Sequence, residues 1–370
     1  MKYKLIMLAV ALTISIASFA RTKIGDLYYD LDSENKLASV FYLAYEGGGR
    51  EPYIGDIIIP ETVNHDGVTY KVTSIMPYAF SYCYDLTSVT LPSTIEGIGE
   101  GAFQYCKNLG ALKIPASVKT IGYMAFGGAG LNSVEVDKDN KYFDSRNNCN
   151  AIINSSTNEL IAGSSKTVIP NTVTKIAPAA FAHCANLTSI VIPNSVKRIC
   201  NDAFYYCENL TSVTLPEGLT EIEGSTFMGC QALKSITLPE SLTIIGKGAF
   251  GNSGLESITI PAKVSEIESR AFDSCYKLKT VTDMANVPQT IYDGTFSIFD
   301  QLIVPESSIE AYQKSPIWSQ FYESNGPTGI SNLTDSETTS NDAIYSLSGQ
   351  KISKTTKGIN IINGKKYVAR

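Results

Sequence analysis

Apolar positions recur along this chain with a period of 23 residues, far longer than the repeat of a helix or a strand. Phenylalanines fall at Phe80, Phe103 and Phe126, then at Phe181, Phe204, Phe227, Phe250, Phe272 and Phe296. Around them one phrase returns, I-x-x-x-A-F-x-x-C-x-x-L-x-x-V-x-L-P, as in Ile98–Pro115 and Ile199–Pro216. Inside the phrase the short-range pattern changes. Val213 and Leu215 alternate with Ser212 and Thr214, which predicts a half-buried strand closed by Pro216, a residue with no N–H to donate. Leu219 and Ile222 predict a second, very short strand, and A-F-x-x-C-x-x-L predicts a helical or 3₁₀-like turn back. One such coil presents Ile222, Phe227, Cys230, Leu233, Ile236, Leu238 and Leu242 to the interior.

No single coil can bury that set, so neighbouring coils must stack. The expected fold is an α/β repeat solenoid, a right-handed coil rich in β-structure with short helical turns. It runs over residues 70–305, with an N-terminal cap at 21–69. Two copies lack the cysteine, Phe126-Gly-Gly-Ala-Gly-Leu131 and Phe250-Gly-Asn-Ser-Gly-Leu255. Glycine there would let a shortened turn reach positive φ. The long interval between Phe126 and Phe181 reads as a divergent coil carrying a hairpin at 136–168, from the apolar pairs Ile152-Ile153 and Leu160-Ile161. Beyond the repeats, Glu306–Phe321 predicts a capping helix carrying Ile309, Tyr312, Ile317 and Trp318, within a C-terminal cap at 306–325. A polar linker follows at 326–341. At 342–370 the Asn363-Gly364 pair between apolar runs predicts a small β-hairpin module.

The repeated phrases resemble the BspA-type (Treponema-pallidum-type) bacterial leucine-rich repeats, through L-x-x-[IV]-x-[IL]-P followed by I-x-x-x-A-F-x-x-C. Six copies carry the cysteine at the matching offset, at Cys83, Cys106, Cys184, Cys207, Cys230 and Cys275. The resemblance implies a surface-exposed or secreted bacterial binding protein rather than an enzyme. The tail, with Ile344–Gly349 and Lys357–Ile362, resembles the C-terminal sorting modules of type IX secretion in Bacteroidetes, although Gln350 and Asn360 depart from that pattern.

The N-terminus reads as a secretory signal peptide at 1–20. Lys2 and Lys4 precede an apolar run from Leu5 to Ile16, and Ser18-Phe19-Ala20 supplies a small-residue cleavage pattern. The run is too short to span a bilayer, so no membrane span is expected after cleavage. Loss of the two lysines takes the formal charge from −6 to −8. An acidic chain with no basic cluster argues against nucleic acid as partner. The cysteines, six of them in one repeat position, read as buried free thiols acting as small hydrophobes.

Catalysis would need converging titratable groups, and the chain has two histidines. His65 lies in the turn Asn64–Gly67, and His183 in an outward turn where other copies carry varied residues. Asp137-Lys138-Asp139-Asn140 starts like a calcium loop but has Tyr142 and Asn148 where glycine and a bidentate glutamate are needed. No cofactor, metal or enzymatic role is expected. The candidate binding residues are the tyrosines flanking the repeat cysteine: Tyr82, Tyr84, Tyr105, Tyr205, Tyr206 and Tyr276. Rigid aromatics on an accessible ridge suit recognition. The outward strand positions, from Ser88 and Thr90 to Thr280 and Thr282, form a flat hydroxyl-rich face. The expected role is adhesion or recognition of host or bacterial surface proteins, by a monomer exported to the surface of a Gram-negative cell. Glycan binding within a polysaccharide-uptake system is the alternative.

Overall fold

The computed structural model describes residues 21–44 and 50–325, with further strands at Ile344–Tyr345, Lys351–Ile352, Gly358–Ile362 and Lys365–Ala369. The repeats wind into a β-solenoid of about ten stacked turns, about 23 residues apart, with little helix. Two parallel ladders run along it. In one, Ala111–Ile114 pairs with Ser133–Val136, Ser189–Val191 with Ser212–Thr214, and Ser257–Ile260 with Thr280–Asp283. In the other, two-residue strands pair, such as Lys175–Ile176 with Arg198–Ile199 and Glu221–Ile222 with Ile244–Ile245. Equivalent residues meet because a slip of one position would turn Ser and Thr into the core.

The A-F stretch follows the expected helical or 3₁₀-like turn only in part. Its N–H groups alternate in direction. Those of Ala79, Ser81 and Cys83 reach back to the carbonyls of Met76, Tyr78 and Phe80. Those of Tyr78, Phe80 and Tyr82 donate to Glu100, Ala102 and Gln104 of the next coil, each at 2.8 Å. Tyr78 and Tyr82 accordingly adopt φ of 59° and 61°, and the equivalent Asp202 and Tyr206 adopt 59° and 53°. Two left-handed residues per turn stop a helix from propagating. In exchange they create a third inter-coil ladder.

Inside, the phenylalanines stack almost parallel. Phe204, Phe227, Phe250, Phe272 and Phe296 follow one another at 5.4, 5.6, 5.5 and 5.1 Å between ring centroids. The thiols of Cys106 and Cys207 each donate to the carbonyl of the phenylalanine one coil back, Phe80 and Phe181, at 3.0 Å. All eight cysteines are buried and unbridged. Burial pushes the Cys184 and Cys230 thiols up to about 12, so they stay protonated, and Cys230 donates to the Phe204 carbonyl at 3.3 Å. Both ends of the ring stack are closed by aromatics. Tyr53 lies 4.9 Å from Phe80 and its hydroxyl donates to the Phe41 carbonyl at 2.7 Å. Trp318 and Phe321 pack on Phe296 at 5.5 and 5.3 Å.

Between Phe126 and Phe181 a hairpin of Ala151–Asn154 and Glu159–Gly163 takes the place of a standard coil. Its two faces are both buried. Ile152 and Ala162 belong to the core that runs N-terminally from here, Ile153 and Leu160 to the core that runs C-terminally. A strand covered on both sides must be apolar at successive positions, which explains the Ile152-Ile153 pair. Gly163 takes over from the missing phenylalanine, since a Cβ there would overlap the Phe181 ring.

At the C-terminal end of the repeats the expected single helix is broken. Ile309–Lys314 and Gln320–Asn325 are separate helices, because Pro316 forces Ser315 to an extended ψ of 127°. Tyr312 and Trp318 are fully buried, whereas Ile317 is only half-buried. Asp283 ends its strand at a core position, paired with Ile260. Burial raises its carboxyl to about 6, although Gln289 Nε2 and the Ala285 N–H donate to Oδ1 at 2.8 and 3.0 Å. A carboxyl that is harder to ionise when folded favours the native state below pH ~4, and that advantage is lost as pH rises to ~6. Asp283→Asn keeps the acceptor oxygen without the charge. It should raise stability at pH 7 and flatten the dependence between pH 4 and 6, as read from urea midpoints across that range.

The positions read as signal peptide and linker, 1–20 and 326–341, lie outside the described residues. In the separate C-terminal unit, Gly358–Ile362 pairs antiparallel with Lys365–Ala369, in register at Ile362 and Lys365 around Asn363-Gly364. With Ile344–Tyr345 and Lys351–Ile352 these strands make a four-stranded sheet.

Candidate recognition surface

The turn ladder dictates where the tyrosines go. The residue two places after each ladder phenylalanine from Phe80 to Phe272 has left-handed φ, among them Tyr82, Tyr105, Gly128, His183, Tyr206 and Gly229. Except at Gly128, its N–H is committed to the next coil, as from Tyr105 to Gly127 at 2.8 Å and from His183 to Tyr205 at 2.7 Å. The side chains are therefore held at fixed spacing on the outside of the turn. Tyr82 stacks on Tyr105 at 4.9 Å, and Tyr84 meets Tyr82 edge-on at 6.1 Å. Tyr105 then meets His183 edge-on at 5.2 Å. His183 stacks on Tyr206 at 5.5 Å, and Tyr206 packs on Tyr205 at 4.6 Å.

Five of the six expected tyrosines thus form one ridge, and His183 is the link that joins its halves. The histidine is half-buried among these rings rather than free at the surface. Burial, followed by repulsion from Lys107, lowers its pKa to about 4, so the imidazole is neutral at physiological pH. Its place was visible only by aligning repeat offsets, which put it level with Tyr82, Tyr105 and Tyr206. The contact needs Gly128 between Tyr105 and His183, because a Cβ at that position would press on both rings. Gly229 ends the ridge, lying beneath Tyr206. Tyr276 stands apart from it, 73% exposed.

The strand face offers less. Ser189, Val191, Ser212 and Thr214 are exposed side by side, and Lys113–Glu135 and Lys234–Glu256 make exposed ion pairs between coils at 3.1 Å. A shallow depression of about 790 Å³ lies where Ser145, Asn148 and Asn150 rise beside these strands. In the stretch that begins like a calcium loop, Asp137 Oδ1 accepts the Asp139 N–H at 3.0 Å. Asn140 spends its amide on the carbonyls of Pro115 and Val118 and on the N–H groups of Tyr142 and Phe143. That geometry makes a structural turn. No group of three or more His, Cys, Asp or Glu suited to a metal occurs among the described residues.

The family model for the BspA-type leucine-rich repeat region matches residues 73–161 and 153–279, more than half of the chain. The chain belongs to the BspA-type leucine-rich repeat family. No curated protein sequence matches it. The pneumococcal vaccine antigen PcpA shares the fold, at 17% identity and a TM-score of 0.51, over 85% of this chain and 97% of PcpA. A leucine-rich cell surface protein of Faecalibacterium prausnitzii is similar at 24% identity and a TM-score of 0.49, over 71% of this chain and 94% of its own. The Treponema pallidum leucine-rich repeat protein is similar at 23% identity and a TM-score of 0.33, over 70% and 90%. The matched family is one of leucine-rich repeat proteins, and no catalytic family is indicated among these matches. Their family is one of repeat scaffolds suited to protein recognition.

Proposed function

We propose that this BspA-type chain is an exported, non-catalytic adhesion and recognition protein that engages other proteins through its aromatic ridge. The observation carrying this reading is the ridge itself, six rings in mutual contact on a turn whose backbone is hydrogen-bonded from coil to coil. Such rings offer large contact area while giving up little rotamer freedom on binding. Export is supported by the leader pattern at 1–20. The strand pairing around Asn363-Gly364 is compatible with residues 342–370 serving as a sorting module for the outer surface of a Gram-negative cell.

The test is a binding screen of the leaderless chain, residues 21–370, against immobilised matrix proteins, bacterial envelope proteins and glycans. Saturable binding to a protein is expected. The combined Tyr82→Ala, Tyr105→Ala and Tyr206→Ala variant should weaken it by roughly 30-fold or more, as loss of interface hot spots does. Binding unchanged in that variant, or binding to glycans alone, would sink the proposal.

A further inference from the structure

The turn ladder has one fault. Where the hairpin replaces a standard coil there is no A-F turn, so the turn around Phe126 comes to lie beside the turn around Phe181. The N–H groups of Met124, Phe126 and Gly128, which should continue the ladder, make no bond to a neighbouring coil, whereas their equivalents Gly101, Phe103 and Tyr105 all do. The facing residues are also small. Gly127 lies against Ala179, and Ala182 occupies the place held by Tyr205 and Met228 in the next two coils.

The result is a recess of about 270 Å³ with Ala179 and Ala182 as its floor. Tyr105 and Tyr205 of the ridge wall it, with Met124, Met228, Ser225 and Asp202. Asp202 is half-buried, and its carboxyl is raised by burial with no hydrogen bond or cation to offset the cost. Lys247 and Arg270 line an adjoining depression that Asp202 also borders, yet neither pairs with it. The negative charge is felt by both walls, since it contributes to raising the Tyr105 and Tyr205 hydroxyls. A half-buried carboxylate without a partner, flanked by aromatic rings and thioethers, is complementary to one kind of group: a cation on an apolar stem.

We propose that this recess at the repeat fault receives a lysine or arginine side chain of a protein partner, paired to Asp202 and enclosed by Tyr105 and Tyr205. The inference rests on the protein-recognition reading and supplies its anchor. A basic side chain buries its methylenes against Met124 and Met228 and leaves its charge at the carboxylate. The recess opens beside the ridge, so one partner segment can use both.

The test uses the leaderless chain, residues 21–370, at pH 7.5 with blocked pentapeptides Gly-Gly-X-Gly-Gly, where X is Lys, Arg, acetyl-lysine or Gln. Saturation-transfer NMR should show transfer to the side-chain methylenes of the Lys or Arg peptide. Transfer should fall by about fivefold or more in Asp202→Asn and for acetyl-lysine. Asn tolerates the left-handed conformation at this position, so the variant should fold. Equal transfer in Asp202→Asn, equal transfer to acetyl-lysine, or none to either basic peptide would overturn the inference. Retention of a protein partner that survives Asp202→Asn but not a Tyr82→Ala, Tyr206→Ala variant, which spares Tyr105, would leave the ridge reading standing and remove the recess. The converse pattern would remove the ridge.

Discussion

Replacing Phe227 with alanine should cost roughly 3–5 kcal/mol of unfolding free energy, in the range seen for large-to-small changes in rigid cores. Phe227 is completely buried, with Phe204 and Phe250 stacked on its two faces at 5.4 and 5.6 Å. Neither neighbour's backbone can shift to close the vacancy, because the Phe204 N–H is bonded to Thr226 and the Phe250 N–H to Ala271, each in the following coil. Closing the cavity would mean breaking the turn ladder. In a linear array the damage also interrupts coupling between the coils on either side. Urea unfolding followed by near-UV circular dichroism should show a lower midpoint and a broader transition than for the native chain. Phe227→Leu should cost less, since it refills part of the volume. A loss below ~1 kcal/mol for the alanine variant would show that the ring stack is not what organises this core.

Gly163→Ala should be nearly as severe although it adds a single methyl group, at about 3 kcal/mol or more. The added Cβ would overlap the Phe181 ring, and Phe181 is itself locked by Phe204 at 5.0 Å on its other side. Gly163 is also tied in place, its N–H donating to Ala180 at 2.8 Å. The methyl can be accommodated only by parting the hairpin from the coil beneath it, at the point where the two halves of the core meet. Calorimetry should then resolve two transitions in place of one. Phe181→Leu in the same chain should recover part of the loss by making room, and failure of that rescue would place the strain elsewhere.

Glycine shows where sequence reasoning reached its limit. Gly130 does have the positive φ expected of a shortened turn, at 50°. Gly254, in the matching phrase, needs no such conformation. Its side chain is excluded because a Cβ would collide with the Gln231 carbonyl of the previous coil. Conformation is a local property, whereas collision depends on what the neighbouring coil places opposite. The helical or 3₁₀-like turn expected at A-F-x-x-C is only half formed for the same reason. The spacing suited one turn of helix, but half of its N–H groups found better acceptors a full coil away.

Everything that repeats in this molecule follows from the order of its amino acids. The period of 23 set the stacking, the alternation in V-x-L-P set which strand face is buried, and Phe and Cys at fixed offsets defined the interior columns. These follow from local patterns because equivalent residues must lie over one another once coils stack. The tyrosine positions were legible in the same way. Where the repeat fails, the outcome depends on how the coils pack. That packing placed Gly163 against Phe181, brought His183 between Tyr105 and Tyr206, and left Asp202 without a partner beside a hollow floored by alanines. Residues far apart in the chain meet there without a period to announce them, and their environment is set by the coils that the fault brings together.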